Sequence, residues 1–265
     1  FFKSEKIISK NKKSQIIFQS SGSSGIRSKH YVADLNLYEK SFMKNFSKIY
    51  GDIKNTCIIG ILPSYTENGD SSLIYMVNTL IMHSTNSYSG FYNNNFEKLS
   101  KVIKKQEINS NKIIIIGVTY ALIDFAKDFS RPLKNTIIIE TGGMKGKRKE
   151  LLKEELHIIL KKAFHLKNIH SEYGMTELLS QAYSKEKGIF SPPNWMKIII
   201  RDINDPLTIL GHNKAGGVNI IDLANIHSCS FIATLDLGIK LDNHRFKING
   251  RFTNADLRGC NLLVE

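Results

Sequence analysis

Three isoleucine-rich runs, TCIIGIL from Thr56, KIIIIG from Lys112 and NTIIIE from Asn135, constrain this chain more than any other feature. A strand with one wet face alternates apolar and polar residues, whereas a strand buried on both faces reads as a continuous β-branched run. Each run passes through a turn into a stretch with helical spacing: SSLIYMVNTLIMH from Ser71, TYALIDFAKDF from Thr119 and KRKELLKEELHIILKKAF from Lys147. Strand, loop and helix in repeated alternation imply an α/β fold: a doubly wound, mostly parallel sheet with helices on both faces. Ligands of such sheets are met at the loops leaving the carboxyl ends of the strands.

Ahead of these units, IIF at Ile16–Phe18 reads as a short buried strand. An amphipathic helix then starts at Asp34, with Leu35, Tyr38, Phe42, Phe46 and Ile49 at steps of three and four and Gly51 as its stop. The Asn-rich FYNNNF at Phe91 reads as a surface loop. Beyond about Pro192 the runs MKIIIRD, GGVNIIDL, CSFIATLDLG and RFKINGR are short strands separated by turns, so a smaller β-rich subdomain follows the α/β part.

Composition excludes several classes. With 42% hydrophobic and 23% charged residues in 265, the chain is globular. Its apolar runs are all too short for a spanning helix. Three cysteines without a CxxC pair suggest neither a disulfide framework nor a zinc ribbon, and a reducing, cytoplasmic setting fits. The eight histidines lack HExxH spacing. The opening FFKSEKIISKNKK has no signal-peptide pattern, and we read it as a late start within a longer chain. A net charge of +13 suits nucleic acid, an anionic lipid surface or a phosphate-bearing small molecule, but the lysines are scattered and form no stripe. We expect no DNA or RNA partner.

The stretch QSSGSSG at Gln19–Gly25 has two readings. Gly/Ser runs make flexible connectors. Glycines also let backbone N–H groups converge on phosphate oxygens, while serine hydroxyls and a nearby lysine add donors and charge. The run is not a Walker loop, because Lys29 comes four residues after Gly25 and His30 follows it. Further on, SEYGMTEL from Ser171 offers an aromatic ring, a glycine turn, a hydroxyl and a carboxylate within five residues. These suit base stacking, phosphate binding and a Mg²⁺ ion. ATLDLG places Asp236 at a strand end, where a carboxylate can accept from both ribose hydroxyls, and NGR places Arg251 shortly after.

The order Ser/Gly loop, YGMTE, LDLG, GR resembles the adenylate-forming superfamily of acyl- and aryl-CoA ligases and luciferases. SSGSSGIRSKHYV, ETGGMKGKRKEL, SEYGMTEL, DPLTIL and GRFTNADLRGCNLL together look more narrowly like the LuxE-like acyl-protein synthetases, over nearly the whole chain. The resemblance implies a large lobe without the small lid domain and its lysine. Residues 1–190 then form the nucleotide-binding α/β part, and 191–265 the β-rich subdomain that completes the ATP site and carries the last cysteine.

It also implies roles. Ser20, Ser21, Gly22, Ser23, Ser24 and Gly25 grip the ATP phosphates with Lys29 assisting, and Gly142 and Gly143 lie beside adenine. Tyr173 packs on adenine next to Gly174, Thr176 bonds the α-phosphate region and Glu177 helps to hold Mg²⁺. Asp236 and Arg251 contact the ribose. Asn254 stands where many relatives carry a hinge aspartate. Cys260 in DLRGCNLL matches the cysteine that captures the acyl group, with Arg258 near enough to lower its pKa. A buried structural cysteine would account for the same residue equally well.

The implied chemistry is ATP-dependent activation of a carboxylic acid, a long-chain fatty acid on this reading. The acyl group would then pass to a protein thiol or to a partner transferase, reductase or carrier. Cys57 and Cys229 lie in strand-like runs and read as packing, and the roles of His30 and His170 stay open. Lys145, Lys147, Arg148 and Lys149 crowd a helix start, as a solvated face or beside an anion. A basic binding module for nucleic acid or anionic lipid, and a degenerate adenylating scaffold, are the competing functions.

Overall fold

The computed structural model describes residues 2–20, 27–62, 70–93, 95–142 and 153–252. The three isoleucine runs are the strands β3 (Cys57–Ile61), β5 (Ile113–Val118) and β6 (Thr136–Thr141). β3 and β5 are buried along their whole length, as continuous apolar runs require. With β4 (Gly90–Phe91) and β7 (His170–Tyr173) they form a parallel array in the order β4-β3-β5-β6-β7. The reversal of direction at β3 is the doubly wound arrangement expected, and it sorts the helices onto opposite faces.

On one face lie α1 (Leu35–Tyr50) and α2 (Ser72–His83), joined by the aromatic contact of Tyr38 with Tyr75. On the other lie α3 (Phe96–Ile108), α4 (Thr119–Asp128) and α5 (Lys153–Phe164), whose rings Phe96, Phe125 and Phe164 pack in succession. α1 begins where Asp34 caps it, the side chain accepting from the Leu37 N–H, and ends at Gly51 in the left-handed region (φ 78°). Its inner face carries Tyr38, Phe42, Phe46 and Tyr50 together with Ser41 and Asn45, two polar residues that apolar periodicity could not place inside. Leu35 and Ile49 are only partly covered.

Beyond β7 the same sheet continues in antiparallel fashion, from before residue 191. β8 (Ala182–Ser184) turns back on β7, β9 (Ile189–Ser191) follows, and β14 (Phe246–Arg251) joins β9 to β13 (Phe231–Lys240). β12 (Ala215–Asp222), β10 (Met196–Arg201) and the edge strand β11 (Ile209–Leu210) complete twelve strands. A second apolar cluster, with Phe190, Ile198, Val218 and Phe246 at its centre, lies under this half.

Two expectations need correction. IIF is not an inner strand: β1 (Ile16–Gln19) pairs only with β2 (Lys29–Val32), as a separate hairpin in which Phe18 is buried and Ile17 is exposed. FYNNNF is not wholly a loop, because Phe91 belongs to β4. The reason lies in β3. Gly60 leaves room above the strand, and a Cβ there would meet the Phe91 ring at 2.5 Å. A two-residue strand seated on a missing side chain has no periodicity to read.

Replacing Gly60 by alanine should therefore unseat Phe91 and cost about 1–3 kcal/mol of stability by overpacking. Urea denaturation would check this, and an unchanged midpoint would show that β4 does not depend on Gly60.

Candidate functional site

The carboxyl ends of β6 and β7 bring together seven of the residues singled out by sequence: Gly142, Tyr173, Gly174, Thr176, Glu177, Asp236 and Arg251. Tyr173, the last residue of β7, donates its hydroxyl to Asp236 Oδ2 at 2.7 Å across the sheet. Asp236 Oδ1 is 2.9 Å from Arg251 Nε, and the two residues are direct cross-strand neighbours of β13 and β14. The Asp236 backbone N–H is held by Thr234 Oγ1, so the carboxylate sits at a fixed place, 7% exposed. Ionised carboxylate oxygens offer about four acceptor positions, and two are used here. The remaining ones could accept from two neighbouring hydroxyls of a ligand. The Tyr173 ring packs against Phe190 and Phe246 at 5.8 and 5.7 Å between centroids, so one aromatic wall bridges the two halves of the sheet.

Immediately after Tyr173 the chain makes a tight turn. Gly174 leaves room there for the Glu172 carboxylate, since a Cβ would lie 2.4 Å from Glu172 Oε1 and would displace it. The Leu178 N–H donates to the Met175 carbonyl at 3.1 Å, which places Thr176 and Glu177 at the two central positions of a turn. Both side chains are part-exposed, and the Glu177 carboxylate has no hydrogen-bond or ion-pair partner among the described residues. No group of three or more His, Cys, Asp or Glu residues suited to a metal occurs among the described residues. A hard cation at Glu177 would thus share one protein carboxylate with phosphate oxygens and water, which is the ordinary ligand set for Mg²⁺ with a nucleotide.

The turn is anchored from three sides. Asp222 is fully buried, and its carboxylate accepts from the Leu179 N–H, the Ser180 hydroxyl and the Ala224 N–H at 2.9, 2.6 and 3.1 Å. Burial pushes its pKa up and these hydrogen bonds oppose the rise. Asn45 of α1 donates to the Gln181 carbonyl. Asn225, at the end of a short 3₁₀ turn (Leu223–Asn225), donates to the Glu177 carbonyl, and His30 of β2 faces the Thr176 carbonyl. None of Asp222, Asn225 or Asn45 was found by sequence reasoning, because each is a polar residue in an otherwise apolar pattern whose partner is distant along the chain.

The other nominated residues fall as follows. Ser20 closes the hairpin loop: its hydroxyl accepts from the Ser28 N–H and its own N–H donates to the Ser28 carbonyl. Ser21, Gly22, Ser23, Ser24 and Gly25 lie outside the described residues. Lys29 is exposed and lines a groove with Gln19, Tyr31 and Asp70. Its neighbour His30 takes the opposite side of the strand, toward Thr176, so Lys29 is not brought to the turn. Gly142 follows β6 with φ 66°, and its carbonyl accepts from the Thr119 hydroxyl. Gly143, Lys145, Lys147, Arg148, Lys149, Asn254, Arg258 and Cys260 are also outside the described residues. Cys57 is buried with its thiol pushed up to about 12 by desolvation, and Cys229 is half-buried, its Sγ 3.1 Å from the Phe231 carbonyl. His170 packs on Tyr50 and is held down to about 4 by burial and then by Lys185.

Behind Tyr173 lies a polar layer to which sequence reasoning gave no role, although ETGG and SEYG open with four of its residues. Glu140 of β6 is buried, 2.8 Å from Lys153 Nζ and 3.6 Å from His157 Nε2 of α5. Ser171 Oγ approaches the same His157 nitrogen at 3.3 Å. A relay would need two different ring nitrogens, so Ser171, His157 and Glu140 form no nucleophilic triad. Glu172 accepts from the Thr141 hydroxyl and is pushed up to about 7, chiefly by burial, with Glu140 adding to the rise.

The acyl-protein synthetase family, LuxE, is matched over residues 1–265. The chain belongs to this LuxE family. No curated protein matches it significantly. Among solved structures it is similar to ATP-bound MatB from Rhodopseudomonas palustris, at 11% identity and TM-score 0.67, over 89% of this chain and 47% of that one. It is also similar to the O-succinylbenzoate coenzyme A synthetase MenE from Bacillus subtilis in complex with ATP and magnesium, at 14% identity and TM-score 0.62, over 89% and 49%. The long-chain-fatty-acid-CoA ligase FadD1 from Archaeoglobus fulgidus aligns at 14% identity and TM-score 0.61, over 93% and 53%. At such identities the likeness is one of fold, and this member of the LuxE family spans about half the length of these solved structures.

Glu172 supplies a pH test. The folded state holds its proton up to about 7 against an ordinary 4.5, so the native chain binds the proton more tightly than the unfolded one and stability falls as pH rises between those values. Full ionisation costs up to about 3 kcal/mol. Glu172→Gln keeps an acceptor for Thr141 and should raise the melting temperature at pH 8, with the gap closing by pH 5. A pH-independent gap would contradict this.

Proposed function

We propose that this chain activates a carboxylic acid with ATP, forming an acyl-adenylate and pyrophosphate, and then passes the acyl group to a thiol. The observation that carries the reading is the Tyr173–Asp236–Arg251 cluster beside the Thr176–Glu177 turn: an acceptor held in place for a ribose, next to a hydroxyl and a carboxylate without a partner among the described residues. The residues come from three separate stretches of sequence and converge in the order the family pattern requires. Membership of the LuxE family and the ligase fold support the same chemistry.

In the first step a carboxylate oxygen of the acid attacks the α-phosphorus, and the bond to the bridging oxygen of pyrophosphate breaks. Asp236 and Tyr173 hold the nucleoside, so the α-phosphate is presented rather than found by collision. Thr176 can donate to a phosphate oxygen as charge develops there. Glu177 would hold Mg²⁺, which supplies charge neutralisation on the phosphates. In the second step a thiolate attacks the acyl carbonyl carbon and AMP leaves with the bonding pair. We assign the thiol to Cys260 on the family pattern, with a protein partner as the onward acceptor.

The acid we propose is a long-chain fatty acid, the substrate class of FadD1, one of the fold relatives. ATP and Mg²⁺ are the proposed co-substrate and cofactor, and a cytoplasmic location is the proposed setting. No helix among the described residues is long and apolar enough to cross a membrane.

Acid-dependent exchange of labelled pyrophosphate into ATP should appear with one acid class and vanish when Mg²⁺ is chelated. Glu177→Ala should lower the exchange rate, and Asp236→Ala should raise the KM for ATP, each by about tenfold or more, the worth of one charged hydrogen bond or ligand. ATP binding without exchange for every acid would turn the reading to a scaffold. Steeply salt-dependent nucleic-acid binding that ignores both substitutions would turn it to a basic binding module.

A further inference from the structure

The turn that bears Thr176 and Glu177 has an unusual clamp. In a tight turn the hydrogen bond from the fourth residue to the first leaves the carbonyls of the two central residues without an internal partner. Here both central carbonyls are held by one connected pair of side chains. His30 Nδ1 lies 2.8 Å from the Thr176 carbonyl oxygen. His30 Nε2 lies 3.0 Å from Asn225 Oδ1, and Asn225 Nδ2 donates to the Glu177 carbonyl at 2.7 Å. His30 and Asn225 are both fully buried.

His30 belongs to β2, the strand that returns from the Ser/Gly loop, only two residues past the Ser20–Ser28 closure. The imidazole is therefore the described link between the hairpin bearing that loop and the turn bearing Thr176 and Glu177. We propose that His30 is a positioning residue for acid activation: through Asn225 and the Thr176 carbonyl it sets the orientation of the Met175–Leu178 turn relative to the Ser/Gly hairpin. The proposal rests on reading that turn as the phosphate and magnesium end of the site.

The hydrogen-bond inventory agrees with a clamp. Asn225 spends its amide nitrogen on Glu177, so its oxygen faces His30, and both ring nitrogens therefore face acceptors. A neutral ring has one N–H and can satisfy one of them, whereas an imidazolium satisfies both. Burial holds the His30 pKa down, while its two hydrogen bonds and the nearby Glu177 charge work the other way. The edge of the Phe2 ring, 5.6 Å away, closes the remaining side.

The two arms can be separated by substitution. Asn carries its amide nitrogen where histidine carries Nδ1, and Gln carries its own where histidine carries Nε2. His30→Asn keeps the donor to Thr176, His30→Gln keeps only the contact with Asn225, and His30→Ala keeps neither. With acid and Mg²⁺ saturating, pyrophosphate exchange should fall in kcat by about tenfold or more in the Gln and Ala variants, as expected for misplaced reacting groups. The KM for ATP, set by Tyr173 and Asp236, should stay unchanged, and His30→Asn should recover most of the rate.

A fall confined to KM, equal losses in all three variants, or no loss in His30→Ala would overturn the proposal. A second measurement does not need catalysis. Hydrogen–deuterium exchange at the Leu178 amide should accelerate in His30→Ala and recover in His30→Asn, while β5 stays protected. If the unsubstituted chain exchanges pyrophosphate with no acid, the activation reading fails and the amide measurement alone judges the clamp. Unchanged Leu178 protection would overturn it.

Discussion

A strand buried on both faces can meet a ligand only at its ends, and that constraint shapes this molecule. β3 and β5 are covered along their whole length, with α1 and α2 on one face of the sheet and α3, α4 and α5 on the other. The side chains between the layers are committed to packing at interior density and have no freedom to serve a substrate. Polar groups able to bind a nucleotide are therefore displaced to the carboxyl edge, where β6 stops at Thr141 and β7 stops at Tyr173. The Ser/Gly hairpin, standing apart from the main sheet, is bound to the same edge through His30.

The second organising contact is the Asp236 carboxylate. Tyr173 ends the parallel half of the sheet, whereas Asp236 and Arg251 belong to the antiparallel half, so the Tyr173 hydrogen bond to this carboxylate joins the halves where the candidate site lies, and the ion pair to Arg251 holds the carboxylate on its own side. Desolvating a carboxylate is costly unless its lone pairs are used, and Asp236 at 7% exposure gains partners from both sides. The same logic explains Asp222. A fully buried acid is retained because it satisfies the Leu179 N–H, the Ser180 hydroxyl and the Ala224 N–H, holding the segment after the Thr176–Glu177 turn in one conformation. The site is thus built from buried polar groups that fix backbone, with Tyr173, Thr176 and Glu177 left part-exposed.

The sequence by itself determined the buried parallel strands β3, β5 and β6, the longer antiparallel strands and most of the helices. Isoleucine runs admit only a doubly covered sheet, and the spacing of Tyr38, Phe42 and Phe46 admits only a helix with one buried face. It also determined the candidate residues Tyr173, Thr176, Glu177, Asp236 and Arg251, because the order of short motifs survives when little else does. What it could not reveal were contacts whose partners are far apart along the chain. The tertiary structure alone decided that β1 and β2 form a separate hairpin, that Gly60 seats Phe91, and that His30 reaches Thr176 across 146 residues and Asn225 across 195. The physical reason is common to all of them. Periodicity and propensity are local, whereas a buried histidine, asparagine or aspartate is placed by whichever distant polar group the fold leaves unsatisfied beside it.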